Sequence, residues 1–229
     1  MTSINPARFI RGWLASSLLV WFLVVPLIIA LIIPAGMILR ILESIVGAES
    51  FIMAAGRVLI LFMMPGALIG FCIAEMQQSL TEAHLGWFLY GWSRMSAFGG
   101  CIGGFVIFTL ITTLPGMSLS DVMPALMPLF MLCIGIGQYI VMRQHVQNAW
   151  LWIAGNFIGG LLFSNIFFSQ TLVFMDVYIV MALSVAWVLA GLAQGAIMVY
   201  VLLWLYETPL PEEFDELAPV PIPVRRDDR

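Results

Sequence analysis

Five polar side chains interrupt the apolar segments of this sequence at corresponding positions, and they are the residues most able to do chemistry. They are Glu75, Arg94, Gln138, Asn156 and Gln194. Glu75 and Arg94 are equally far in sequence from a turn at His84–Leu85. At a helical rise of about 1.5 Å per residue, this predicts that both lie roughly 9–11 Å below a membrane interface. An unpaired charge at that depth is costly. The spacing therefore predicts an ion pair between Glu75 and Arg94.

The next pair of apolar segments repeats this arrangement with neutral groups, because Gln138 and Asn156 are centred on Gln147. Gln194 holds the matching place in the last segment, so the five residues predict one buried polar layer. Such a layer can set helix register through hydrogen bonds between helices. It can also line a solute site or a proton path. A single ion pair with few other titratable groups makes a poor proton relay, which favours the structural role.

Other reactive groups are scarce. The chain has no lysine, and all nine basic residues are arginines, which excludes Schiff-base chemistry and a phosphate-loop lysine. The cysteines Cys72, Cys101 and Cys133 lie singly in apolar runs, as buried filler does. His84 and His145 lie in short polar segments, away from the depth at which a haem would need them. We therefore expect no enzymatic activity and no metal site, and the sequence indicates no particular cofactor.

The elements that position these residues follow from composition. Of the 229 residues 62% are hydrophobic and only 10% are charged, against roughly 25% charged in soluble proteins. The sequence predicts an all-α, polytopic integral membrane protein with six transmembrane helices in residues 1–206, at about 12–39, 52–79, 87–114, 119–143, 150–172 and 176–206. The segment Arg40–Gly56, which carries two glutamates among apolar residues, is predicted to lie along the interface.

Charge distinguishes the two ends of the chain. Residues 1–206 carry six arginines and six acids, so the net charge of −4 comes from residues 207–229, an acidic, proline-rich tail. Arg8, Arg11 and Arg143 fall on the same side of the predicted helices as the tail arginines, and Arg40 and Arg57 fall on the other. Cytoplasmic segments carry the excess of arginine and lysine. We therefore expect both termini in the cytoplasm of a bacterium, with the helices in its inner membrane.

Small residues and aromatics have regular places in the helices. Glycines four residues apart are expected to let neighbouring helices pack closely. The glycines predicted to do so are Gly99, Gly100, Gly103, Gly104, Gly155, Gly159, Gly191 and Gly195. Tryptophans and a tyrosine near the predicted helix ends are expected to form an interfacial aromatic belt; these are Trp13, Trp87, Trp92, Trp150, Trp152, Trp204 and Tyr206.

Parts of the sequence recur. Gly99–Gly104 matches Gly155–Gly160 at a shift of 56 residues, whereas Glu75 and Trp87 match Gln138 and Trp150 at a shift of 63. The first match indicates that predicted helices 3–4 are repeated as helices 5–6, with helices 1–2 as a possible third copy. The second, competing match relates the loop between helices 2 and 3 to the loop between helices 4 and 5, so the register is left open. The run from Gly135-x-x-Gln138 through Arg143-Gln-His145 to Trp150 resembles uncharacterised bacterial multi-pass membrane proteins built from repeated hairpins. This resemblance implies a prokaryotic membrane protein and no particular activity.

These observations favour a non-catalytic accessory or structural subunit of a larger bacterial membrane complex. We expect it to contact the lipid bilayer, and to bind other membrane subunits through glycine-lined faces and the tail, but not nucleic acid. One alternative is a small-solute transport protein, since length and hydropathy suit the six-helix substrate-binding subunits of vitamin importers. A further alternative is a pigment- or quinone-associated subunit of an energy-converting complex, with His84 and His145 as its candidate ligands.

Overall fold

The computed structural model describes residues 6–86, 89–113, 119–174 and 179–206, and these ranges contain α-helices and no β-strand. The helices are α1 (Pro6–Val46), α2 (Phe51–Val58), α3 (Met64–Leu85), α4 (Trp92–Thr113), α5 (Leu119–Met142), α6 (Trp150–Phe174) and α7 (Ile179–Tyr206), with a π-helical turn at Leu59–Met63 joining α2 to α3. The acidic tail lies outside the described residues.

Within the described ranges, three helical segments are long and apolar enough to cross a bilayer, which takes about 20 residues. They are Phe51–Leu85, Trp92–Thr113 and Pro124–Met142. Within the described residues, this confirms the prediction of a helical chain with helices long and apolar enough to span a membrane. Large apolar side chains on the outer faces of these helices are exposed, as lipid contact requires.

Several helices extend beyond the ranges predicted from apolar runs. Helix α1 continues through Arg40 to Val46 and α3 continues to Leu85, because polar residues such as Glu43 and Glu82 are good helix formers. The segment Arg40–Gly56 is thus the end of α1, a turn, and the start of α2. Gly47 (φ 84°) ends α1, and the Ser50 hydroxyl accepts a hydrogen bond from the Met53 amide at 3.1 Å to begin α2.

The π-helical turn has a local cause. Pro65 lacks an amide hydrogen and cannot donate to the carbonyl of Leu61. The Met64 amide instead reaches back to the carbonyl of Leu59, which widens one turn before α3 begins.

Six helices pack side by side in the order α1, α3, α4, α5, α6 and α7, and α7 packs against α1 again. This order forms a ring, in which side chains from helices that are not neighbours can meet at the centre. We call the end that holds the start of α1 and residues 86, 89–91 and 143–149 the N-terminal end. The buried core at this end includes Trp13, Trp92, Trp152 and Leu202. A second, apolar core layer follows, which includes Val20, Ile73, Phe130 and Ile134.

Glycines lie where neighbouring helices approach most closely. A Cβ atom at Gly66 would collide with the carbonyl of Gly100, and one at Gly99 would collide with that of Cys133. The other glycines chosen from the sequence have varied surroundings: Gly103 lies against the Phe130 ring, Gly104 against the Phe62 carbonyl, Gly155 against Val201 and Gly195 against Ser17, while Gly159 is buried. The surroundings of Gly191 lie outside the described side chains.

Candidate functional site

A chain of side-chain hydrogen bonds crosses the centre of the ring. The Nε2 group of Gln138 (α5) donates to Oε1 of Gln77 (α3) at 2.8 Å. Its Oε1 atom accepts from the indole Nε1 of Trp152 (α6) at 2.7 Å. Gln77 is 4% exposed, and Gln138 and Trp152 are fully buried. We call these three residues the polar centre; it links three helices through the two ends of one amide.

The loop between α5 and α6 holds the polar centre in place. Trp152 is the third residue of α6, and the preceding loop buries Val146 and Ala149 in the core beneath it. Asn148 adopts a left-handed conformation (φ 56°), which lets the chain reverse before the helix begins. The two helices thus return with Trp152 facing Gln138.

Three tryptophans fill the space around the polar centre. The Trp152 ring lies 5.7 Å from that of Trp92 and 6.5 Å, edge-on, from that of Trp13. The expectation of an interfacial belt is wrong for these three residues, which are at most 1% exposed. Their rings bury more apolar surface than any smaller residue could, and the ring of helices has a wide centre to fill. Trp150 and Trp204 are exposed, as a belt requires, whereas Trp87 and the Tyr206 side chain lie outside the described part.

Asn156 lies one turn beyond Trp152. Its Nδ2 donates to the carbonyl of Trp152 at 2.9 Å, and its side chain packs against Gly135 of α5. Two buried polar atoms at this level have no partner among the described residues: the acceptor Oδ1 of Asn156 and the donor Nε1 of Trp92. Unpaired buried polar atoms are rare inside proteins, and a functional role or a bound molecule is the usual explanation for them.

The structure does not bring Glu75 and Arg94 together. Both side chains are exposed, and no ion pair joins them in the described part of the chain. The reason is angular, because at about 100° per residue Glu75 points about 140° away from Gly70, which faces α4. Gln77, seven residues after Gly70, lies on the inward face instead. The seven-residue spacing from Gly70, two helical turns, is the feature of the sequence that predicts an inward-facing Gln77. The Gln194 side chain lies outside the described part.

The remaining candidate residues lie apart from the polar centre. His84 packs against Phe9 with ring centroids 5.6 Å apart and contacts the carbonyl of Leu80. His145 lies in the loop after α5, where partial burial lowers the pKa of its imidazole. Cys72, Cys101 and Cys133 are unpaired and half-buried. Among the described residues, no three His, Cys, Asp or Glu side chains come together to hold a metal ion.

What this arrangement does is hold helices at a chosen register. The side-chain amide of Gln138 bonds to α3 through its nitrogen and to α6 through its oxygen. Sliding α5 by one residue would therefore break both bonds. The chain matches no family model, no curated protein and no solved structure.

Proposed function

We propose that this protein is a non-catalytic accessory or structural subunit of a larger bacterial membrane complex. The observation that carries the proposal is the use made of its polar groups. The polar centre joins helices to one another, and tryptophan rings fill the space beside it. Exposed charges and apolar side chains lie on the outside, where partners bind. The core thus serves rigidity, and the surface is left for assembly.

Affinity purification of the tagged full chain from native membranes in mild detergent tests this proposal. We expect other membrane proteins in fixed stoichiometry, measured by quantitative mass spectrometry. A tagged, unrelated multi-pass protein expressed at the same level is the control, and proteins found equally with both are discounted. Recovery of the chain with no specific membrane protein would contradict the accessory role.

We further propose six membrane spans, made by α1 and α3–α7, in the bacterial inner membrane with both termini in the cytoplasm. Arg8, Arg11 and Arg143 support this orientation because they lie at the N-terminal end of the ring. Arg40 and Arg57 lie near the turn between α1 and α2, towards the other end. The arginine excess at the N-terminal end agrees with the positive-inside rule.

Labelling of single cysteines in intact cells is expected to distinguish the two ends. In a chain without its natural cysteines, Ala48→Cys should react with a membrane-impermeant maleimide from the periplasm, because Ala48 is exposed in the turn between α1 and α2. Gln144→Cys, in the exposed loop after α5, should react only after the cells are opened. The reverse pattern would invert the proposed orientation.

We also propose that the hairpins α3–α4 and α5–α6 are tandem copies, offset by 60 residues. Gln78, Trp92 and Ser96 then correspond to Gln138, Trp152 and Asn156. Two local bonds support this register: the Ser96 hydroxyl donates to the Trp92 carbonyl at 2.7 Å, as Asn156 does to that of Trp152. The shifts of 56 and 63 residues fall on either side of this value.

A small-solute transport protein is the second candidate, and the two unpaired atoms of Asn156 and Trp92 favour it. A small polar solute could bond to the buried acceptor of Asn156 or to the buried donor of Trp92. A solute bound there should raise the melting temperature of the wild-type protein but not that of Asn156→Leu. A panel of amino acids, vitamins and nucleosides that shifts neither protein would contradict this alternative.

A further inference from the structure

Glu75 and Arg94 lie on the same outer surface of the α3–α4 hairpin. Inward-facing neighbours fix their heights: Gly70 packs against Ser96, and the Ser93 hydroxyl donates to Oε1 of Gln78 at 3.4 Å. The close backbone contacts of Gly66 with Gly100 and of Gly70 with Ser96 place Arg94 level with Cys72. The acid and the base therefore differ in height by three residues, about 4.5 Å, and both side chains point outward.

The apolar residues of this surface are matched in the same way. Phe71 and Phe98 are exposed one turn from the charges, with the same offset of three residues between them. Met64 and Phe105 are exposed about two turns further on. Each α3 residue thus has an α4 residue within about one helical turn of its own height. We call the surface formed by these six residues the outer face.

A carboxylate on this face needs a counterion. Glu75 lies ten residues before the end of α3, about 15 Å along the helix, and the exposed Phe71 is one turn deeper. An ionised group facing hydrocarbon is costly. Arg94 of the same chain points the same way and makes no ion pair with it among the described residues. A second molecule can supply the missing counterion.

We propose that the outer face binds the outer face of a second copy of this chain, around a two-fold axis along the membrane normal. Such an axis keeps every residue at its own depth, so the residues that meet differ in depth only by their offset of about 4.5 Å, which their long side chains span. With α3 facing the α4 of the second copy, Glu75 meets Arg94 of that copy, and Arg94 meets its Glu75. Phe71 meets Phe98, and Met64 meets Phe105, a favourable sulfur–aromatic pair. Lipid is excluded around both ion pairs, which strengthens them.

This dimer rests on the membrane location of α3 and α4 and not on the complex proposed above, so either can fail without the other. Differently tagged copies of the full chain are expected to co-purify from vesicles of phosphatidylethanolamine and phosphatidylglycerol. Glu75→Arg alone places two arginines in each contact, and Arg94→Glu alone places two glutamates there. Each single variant should dimerise at least tenfold less than the wild-type protein.

Mixing the two variants is the decisive measurement. A Glu75→Arg copy facing an Arg94→Glu copy has both contacts complementary again, so the mixed pair should dimerise within about threefold of the wild-type protein. An ion pair within one chain cannot be restored by mixing. Arg143→Glu, an exposed charge change in the loop after α5, is the control and should leave dimerisation unchanged.

Cross-linking keeps the proposal testable if either charge variant fails to fold. In a chain whose three cysteines are replaced by alanine, Phe71→Cys with Phe98→Cys should form disulfide-linked dimers in membranes. Ile136→Cys with Ile158→Cys, on the exposed surfaces of α5 and α6, should not. A wild-type chain that stays monomeric at every lipid ratio, unchanged single variants, unrestored mixtures or equal cross-linking at both sites would each overturn the dimer and leave lipid or another protein on the outer face.

Discussion

Replacing Gln138 by leucine is expected to lower the free energy of unfolding by about 2–4 kcal/mol. The substitution keeps the size of the side chain but leaves Oε1 of Gln77 and Nε1 of Trp152 without partners, and both residues are almost fully buried. Each buried group left unpaired costs about 1–3 kcal/mol. Reversible unfolding by SDS in mixed micelles, followed by tryptophan fluorescence, measures the change.

Gln144→Leu is the matched control, since it makes the same chemical change in the exposed loop only six residues away. Its effect should stay within about 0.5 kcal/mol, as for most surface substitutions. Equal effects of the two variants would mean that the hydrogen bonds of the polar centre contribute nothing to stability. The proposal that its polar groups serve rigidity would then lose its main support.

Replacing Gly100 by alanine is expected to be more disruptive than its single added methyl group suggests. The new Cβ would collide with the backbone carbonyl of Gly66, and a backbone cannot turn aside as a side chain can. Helices α3 and α4 would have to separate along their length, which loosens the contacts at Gly70 and Gly104 as well. We expect a loss of about 3 kcal/mol or more, in line with severe overpacking, measured by the same SDS unfolding.

Gly36→Ala provides the control for this substitution. Gly36 also lies inside a helix, α1, but an added Cβ there meets nothing within 4 Å. Alanine should stabilise that helix by about 0.5–1 kcal/mol through its higher helix propensity. If both variants were stabilised, the close approach of α3 and α4 at Gly100 would be incorrect.

These predictions and the dimer separate two roles for polar groups at one level of the bundle. Gln77, Gln138 and Trp152 face inward and join helices of one chain. Glu75 and Arg94 lie within about one helical turn of the same level and face outward, where the proposed second copy would pair with them. The neutral side chains can be buried in a closed core because they form hydrogen bonds with one another. The charges lie where they can select and orient a partner, which buried neutral groups cannot do.

The amino-acid sequence by itself determined the class of the protein and the height of its polar residues. Long apolar runs with few charges require a membrane, and helices follow because every backbone amide in lipid must be paired within its own segment. Height follows from counting, since each residue adds the same rise. For that reason the sequence predicts Glu75 and Arg94 at one level, and the glycine contacts between α3 and α4 place them about 4.5 Å apart in height.

Only the tertiary structure decided which way these side chains point. Direction around a helix changes by about 100° per residue, so it depends on where each neighbour packs, and small glycine contacts such as Gly66 with Gly100 set that position. The ring of helices turned Gln77 inward and Glu75 outward, although they are two residues apart. It also buried Trp13, Trp92 and Trp152, which the sequence placed at the interface, because a ring of six helices has a centre that only large side chains can fill.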